Sequence, residues 1–519
     1  MADLILAHDL GTTGDKATLF DARGALTGSA SASYPTRYPR PGWAEQDAND
    51  YWTAFCASTR ELLAASGRQA SQIAAVSFSG HMQAALPVDK DGRALRPAII
   101  WADQRATRET AELVERVPAA RVFQITGHRP SPSYSAAKIM WIRRNEPEIF
   151  RAAAKFIHVK DFVVLRLTGG TFTDLSDASG MNLLDIQTGR WSEEMLDAAG
   201  IPAALLPDLY EATSIVGAVT PEAAAATGLV SGTPVVMGAG DGACATCGAG
   251  VVRPGDSYIC LGTSGWMATA SDRPLPDPEA RIPTYFHFRR GLYFPCGSMQ
   301  SAGGALQWFA ESATAGEARG GAADGASAYA QMEKEAAHVP PGSNGLIFLP
   351  YLIGERCPWW SAEARACFIG LSHAHERGAM ARAVMEGVAF NMRLIADAFS
   401  ERGLHAEGFR MIGGGARSGL WRGIFADVLN RPVTTLSYME EATSVGAAIA
   451  GGVGVGLFSG IEEAARIVTP AETIEPDQDR ARCYARMLPV FGHAYRQLAP
   501  IFGELAEFLR VPADTDSRY

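Results

Sequence analysis

Nine residues near the amino terminus, Leu10-Gly-Thr-Thr-Gly-Asp-Lys-Ala-Thr18, recur at mid-chain as Leu261-Gly-Thr-Ser-Gly-Trp-Met-Ala-Thr269, identical at six of the nine positions. Glycine strips side-chain bulk from such a turn, and neighbouring N–H groups and Thr or Ser hydroxyls can then point at phosphate oxygens. A single copy reads as a plain hairpin turn; a duplicated one, opening each half of the chain, could grip a polyphosphate. The P-loop route to the same end is excluded, because no Gly-x4-Gly-Lys-Ser/Thr segment exists. Gly413-Gly-Gly-Ala-Arg-Ser-Gly419 adds a third place where backbone could approach a nucleotide closely. Two carboxylates extend this chemistry. Asp241, between Gly240 and Gly242 after an apolar run, can project from a tight turn and accept a proton, or it can cap the helix that follows. Asp9 ends the first strand just before the first loop, where it can hold hydrated Mg2+ against phosphate or cap the turn. Lys16 could approach the same phosphate or remain a solvated strand residue. Cys244-Ala-Thr-Cys247 has redox or zinc spacing, but no second Cys or His pair stands at comparable spacing. The two thiols therefore read as small buried fillers, with a redox-sensitive activity as the alternative.

These residues need a scaffold of alternating strands and helices. Each Gly-Thr loop lies between apolar runs, Leu4 to Ala7 before the first and Ser257 to Cys260 before the second, which predicts strand, tight turn, strand. Further strands are expected at Ile73 to Phe78, Val235 to Met237, Leu346 to Leu349 and Phe409 to Ile412. Helices are expected at Asn49 to Ser66, Arg105 to Val117, Glu376 to Glu401, Trp421 to Asn430 and Ala442 to Gly451. The 519 residues exceed what one core usually supports, so the fold class is α/β with two lobes, 1–251 and 252–519, and a cleft between them. Gly316 to Ala326, dominated by Gly and Ala, reads as a surface insertion or mobile loop. A net charge of −10 opposes nucleic acid or anionic membrane as partner. The weakly polar stretch Val445 to Phe458 is too short and Gly-rich for a membrane span. The amino terminus carries no export signal, and the eight cysteines form no dense framework, so a reducing cytoplasmic setting is expected.

Beyond these patterns the chain resembles the FGGY carbohydrate kinases from Asp9 to about Gly451. Ser133-Tyr-Ser-Ala-Ala-Lys138-Ile-Met-Trp141 matches the family's first signature, and Ala366 to Glu386 matches the second except at Ala379. Pro41 to Gln46, Trp101-Ala-Asp103-Gln-Arg105, Lys160-Asp161, Gly240-Asp241-Gly242 and Gly354 to Pro358 look like further family landmarks. The resemblance implies two actin-like or ribonuclease H-like lobes with a deep inter-lobe cleft that close over MgATP and a small sugar. It implies ATP-dependent phosphorylation of a sugar hydroxyl with Asp241 as base, Mg2+ lying toward Asp9 and Asp241. It assigns Gly11, Thr12, Thr13, Gly262, Thr263 and Ser264 to the phosphates, and Gly303, Gln307, Gly415 and Gly419 to the adenosine. The sugar site would form from His81, Met82 and Gln83 with Trp101 and Asp103, because a polyol needs several directional hydrogen bonds and an apolar wall. The Arg-Glu pair of the family's glycerol kinases is absent, which favours a ketose, with D-xylulose expected. His81 and Gln83 stand in exchanged order relative to family members acting on that sugar, leaving ribulose, erythritol, glycerol or a sugar acid as alternatives. A non-catalytic nucleotide-binding scaffold is the contrasting alternative, and a homodimer is compatible with either.

Overall fold

The computed structural model describes residues 2–314 and 325–510. Residues 316–324 of the Gly/Ala-rich stretch therefore lie outside the described residues, and its last two residues fall in a helix, Gly325–Ala337. The chain divides into two compact units. One gathers the chain up to Asp256 with Thr269–Pro295 and Glu441–Thr469; the other gathers Ser257–Ala268, Cys296–Glu440 and the chain from Pro470 onwards.

In the first unit β1 (Leu4–Leu10), β2 (Gly14–Phe20) and β3 (Leu26–Ser33) form an antiparallel meander. The strand Ile73–Gly80 lies parallel to β1 on its other side, followed by Pro234–Val236 and the short Ala239–Gly240. Leu4, Ile5, Leu6 and Ala7 are all buried, so β1 reads as an unbroken apolar run because both faces are covered. The helix Ala48–Ser66 packs on β2 and β3, and Ala442–Gly454 packs on β1 and Ile73–Gly80. Between the two short strands Gly238 takes φ +67°, and a Cβ there would lie 2.0 Å from the Phe78 carbonyl oxygen. Only glycine permits that close kink.

The second unit repeats the plan. Gly265–Thr269 is antiparallel to Tyr293–Met299, while Ser257–Leu261, Phe409–Ile412 and Val433–Leu436 run parallel in that order. The duplicated loops thus join the first two strands of each sheet, as the strand, turn, strand expectation required. Ile347–Leu349 forms as a strand but pairs with Cys367–Ile369, outside this sheet. Among the described residues no helix is long and apolar enough to cross a membrane.

Candidate active site

Parallel strands leave their carboxyl ends along one edge, where loops can present chemistry. In the first unit Asp9 pairs with Ser79 across the two central strands, and Gly240 pairs with Gly80 on the next. The register therefore brings Asp9, the turn that starts at His81, and Asp241 to the same edge. Asp241 is the first residue of the helix Asp241–Gly248, and its Oδ1 accepts the Gly242 N–H at 2.7 Å. Its surroundings push the carboxyl up to about 7, chiefly by burial, then by the charges of Asp9 and Asp177. Part of its surface remains open, so it is desolvated yet reachable, the condition of a base that works near neutral pH. Asp9 accepts the Thr443 hydroxyl on Oδ2 at 2.6 Å, while its buried Oδ1 has no hydrogen bond among the described residues. Burial raises the Asp9 pKa, and the hydrogen bond from Thr443 opposes the shift.

His81 is buried, and neither ring nitrogen has a protein partner among the described residues. Burial pushes the imidazole down to about 4, so at pH 7 it is neutral, with one donor and one acceptor nitrogen. Met82 lies against the glycines that flank Asp241: a Cβ on Gly240 would meet its Cγ at 2.7 Å. Gln83 takes φ +69°, which for a residue with a Cβ costs about 1–2 kcal/mol. Trp101 is half-exposed and donates its indole N–H to Thr12 Oγ1 at 3.0 Å, so it braces the first Gly-Thr loop. Asp103 is fully buried; its two oxygens accept from the Arg105 guanidinium at 2.6–2.9 Å and from the Ala44 N–H at 2.6 Å. Its carboxylate is thus spent on shaping the turn that carries Trp101. Lys16 reaches Glu441 at 3.3 Å. The Gly11 N–H closes on the Gly14 carbonyl at 3.0 Å, and Gln46 donates to the Thr12 carbonyl at 2.6 Å.

Beneath this edge lies a buried ionic cluster that sequence reasoning noted only as the pair Lys160-Asp161. Lys160 Nζ stands 2.8, 2.9 and 3.0 Å from Asp161, Asp174 and Asp177. Burial opposes its charge, but the three carboxylates outweigh that and hold it protonated. His158, Asp161 and Asp177 have spacing suited to a metal, yet the Lys160 ammonium already pairs with both carboxylates. Ser176 accepts the Gly240 N–H at 2.9 Å and donates to Asp174, which anchors the strand end before Asp241. Cys244 and Cys247 are buried, with burial raising both thiols well above their ordinary range. Such thiols are unreactive fillers.

The second unit contains a cavity of about 630 Å³ lined by Gly262, Thr263, Gly303, Gln307 and Gly415. Ser264 and Gly419 are not among its lining residues. Gly303 N–H donates to the Gly262 carbonyl at 2.7 Å, and Gly304 N–H to that of Thr263 at 2.9 Å, which fastens the second loop to the helix Gly303–Thr314. Met332, Met385 and Trp421 give the cavity an apolar wall sized for a base and ribose. Glu333 and Ser418 also line it, and Glu333 Oε1 accepts from Ser418 Oγ at 2.6 Å and from the Leu420 N–H at 3.1 Å. Neither Glu333 nor Thr443 carries a local motif: Glu333 meets its partners across about 85 residues and Thr443 meets Asp9 across 434.

The profile of the N-terminal domain of the FGGY family of carbohydrate kinases matches residues 4–248, and that of its C-terminal domain matches 257–455. The chain is 33% identical over 500 residues to the xylulose kinase of Escherichia coli K12, spanning 96% of this chain and 100% of that protein. It is 30% identical over 515 residues to the gluconokinase of Bacillus subtilis 168, spanning 98% and 99%. The crystal structure of xylulose kinase from Rhodospirillum rubrum superposes with a TM-score of 0.89 at 34% identity, covering 96% of this chain and 100% of that one.

Proposed function

The chain belongs to the FGGY family of carbohydrate kinases, and from that premise we infer that it transfers the γ-phosphoryl group of ATP to D-xylulose, giving D-xylulose 5-phosphate and ADP. The observation that carries the proposal is the strand edge that gathers Asp9, the His81–Gln83 turn and Asp241, with one carboxyl pushed up to about 7 and a buried imidazole whose nitrogens have no protein partner among the described residues. Similarity to xylulose kinases over nearly the whole chain supports the choice of sugar.

In this proposal His81 and Gln83 hydrogen-bond the sugar hydroxyls, Met82 supplies an apolar contact, and Asp103 fixes the turn from which Trp101 walls the site. Asp241 accepts the proton of the attacking hydroxyl as its oxygen bonds to the γ-phosphorus and the bond to the ADP oxygen breaks. Gly11, Thr12, Thr13 and Lys16, with Gly262, Thr263 and Ser264, are assigned to the phosphates. Gly303, Gln307, Gly415 and Gly419 are assigned to adenosine, so residues 1–251 carry the sugar site, the first phosphate loop and the base, and 252–519 the second phosphate loop and the adenosine site. Mg2+ would neutralise phosphate charge, and the residues present fit it: Asp9 offers a buried oxygen that has no hydrogen bond among the described residues, with the Asp241 carboxylate close enough to feel its charge. A cytoplasmic enzyme, with a homodimer as its assembly, is the proposed setting.

Gluconate is the second candidate, because a gluconokinase is similarly close. A sugar acid needs a free cation for its carboxylate. Arg105 is instead committed to Asp103 and Glu45, and Lys138 is buried on two carbonyl oxygens. The neutral ketose is therefore favoured. Coupled ADP release over D-xylulose, D-ribulose, D-gluconate, erythritol and glycerol tests this. D-xylulose is expected to give the highest kcat/KM, and a preference for D-gluconate would reject the assignment.

A further inference from the structure

Lys138 is completely buried, yet among the described residues no carboxylate pairs with it. Its Nζ donates to two backbone carbonyls, that of Gln83 at 2.7 Å and that of Ser133 at 2.5 Å. Three residues earlier on the same helix, Ser135–Asn145, the Ser135 hydroxyl donates to the next carbonyl of the turn, that of Ala84, at 2.8 Å. Residues three apart share a helix face, so one face of this helix grips two consecutive carbonyls. Between the gripped carbonyls and the buried imidazole stands Gln83, in the left-handed region that a side chain disfavours. Its side chain passes close to Gly180, where an added Cβ would lie 3.1 Å from Gln83 Cγ. Burial pushes the Lys138 amine down to about 7, and its two hydrogen bonds offset part of the cost of placing it there. Here they hold a disfavoured backbone conformation at the turn assigned to the sugar.

We propose that Lys138 is a positioning residue for sugar recognition: together with Ser135 it clamps the Gln83 and Ala84 carbonyls and so fixes the directions in which His81 and Gln83 meet the sugar. This rests on the assignment of the His81–Gln83 turn to the sugar. Ser135 also meets His158 Nε2 at 3.1 Å, and His158 Nδ1 lies 3.0 Å from Asp177. The clamp is thus continuous with the ionic cluster that anchors Gly240, the residue before Asp241.

Steady-state ADP release with D-xylulose, measured with a melting curve for each variant, tests the proposal. Lys138→Met is expected to raise the sugar KM at least tenfold and leave the ATP KM within twofold. Lys138→Arg, which keeps a buried donor, is expected to recover part of the loss. Ser135→Ala removes one grip without touching the charge and is expected to raise the sugar KM several-fold, which keeps the test open should Lys138→Met fail to fold. A folded Lys138→Met or Ser135→Ala with unchanged sugar KM overturns the clamp alone. A folded Lys138→Met that raises the ATP KM as much as the sugar KM assigns Lys138 a general structural role and overturns positioning. Unchanged sugar KM in His81→Phe rejects the sugar turn itself, and the clamp with it.

Discussion

His81 presents two unpartnered nitrogens inside a buried site, a cost that a protein tolerates where a ligand supplies the missing partners. Replacing it with Phe keeps the ring's bulk and removes both. The sugar KM is expected to rise about five- to thirtyfold, one or two neutral hydrogen bonds being worth about 1 kcal/mol each, while the melting temperature holds or rises. Asp241 makes a sharper prediction. A base must be ionised to accept a proton, and this carboxyl is pushed up to about 7. The rate kcat/KM should therefore climb as pH rises through about 7, in place of the flat profile that an ordinary carboxylate, ionised far below that, would give. Asp241→Asn should lower kcat by about 10²- to 10⁴-fold. The folded pKa exceeds the unfolded one, so ionising the native carboxyl loses stability as pH climbs from about 4 through about 7. Above that range the Asn variant should accordingly melt no lower than wild type.

Two helices of the first unit carry acidic-site partners and owe their approach to glycine. Asp241–Gly248 begins with the proposed base, and Ala442–Gly454 carries Thr443, the donor to Asp9. A Cβ on Gly446 would stand 2.1 Å from the Cys244 carbonyl oxygen, and one on Gly248 would stand 1.8 Å from that of Ala442. Neither obstacle is a flexible side chain. Gly446→Val is expected to force the helices apart, destabilising the protein by about 1–3 kcal/mol and lowering kcat, as read from thermal melting and turnover together. Thr443→Val, which leaves the helices packed, should lower activity without a comparable melting shift. The contrast separates the position of the helix from the hydrogen bond it delivers.

At the scale of the whole chain, the first unit is assembled from three separate segments. The helix Ala442–Gly454 covers β1 and Ile73–Gly80, with Gly451 set so close that a Cβ would lie 2.8 Å from Ile5 Cγ2. A fragment ending at residue 251 lacks that helix and would leave much of one face of its central strands uncovered. It is expected to aggregate or fail to melt cooperatively, whereas co-expression with residues 252–519 should recover soluble material. A fragment 1–251 that melts cooperatively by itself would contradict this.

Much of this architecture was written locally. The apolar runs at Leu4 and Ser257, each ended by a Gly-Thr turn, suffice to place both strand pairs, because strand and turn propensities act over a few residues. The glycines around Asp241 mark it for the same reason, and the first signature segment marks the helix of Lys138. Other features needed distant segments. Thr443 finds Asp9 across 434 residues, Glu333 enters the cavity wall beside Ser418, and Asp103 turns its carboxylate to Arg105 and Ala44. No periodicity records such pairings, since a hydrogen bond between remote residues depends on where the folded backbone carries each partner. Residue type and spacing could therefore nominate the chemistry, but burial and long-range contact decided which polar groups were already satisfied and which were left for a substrate.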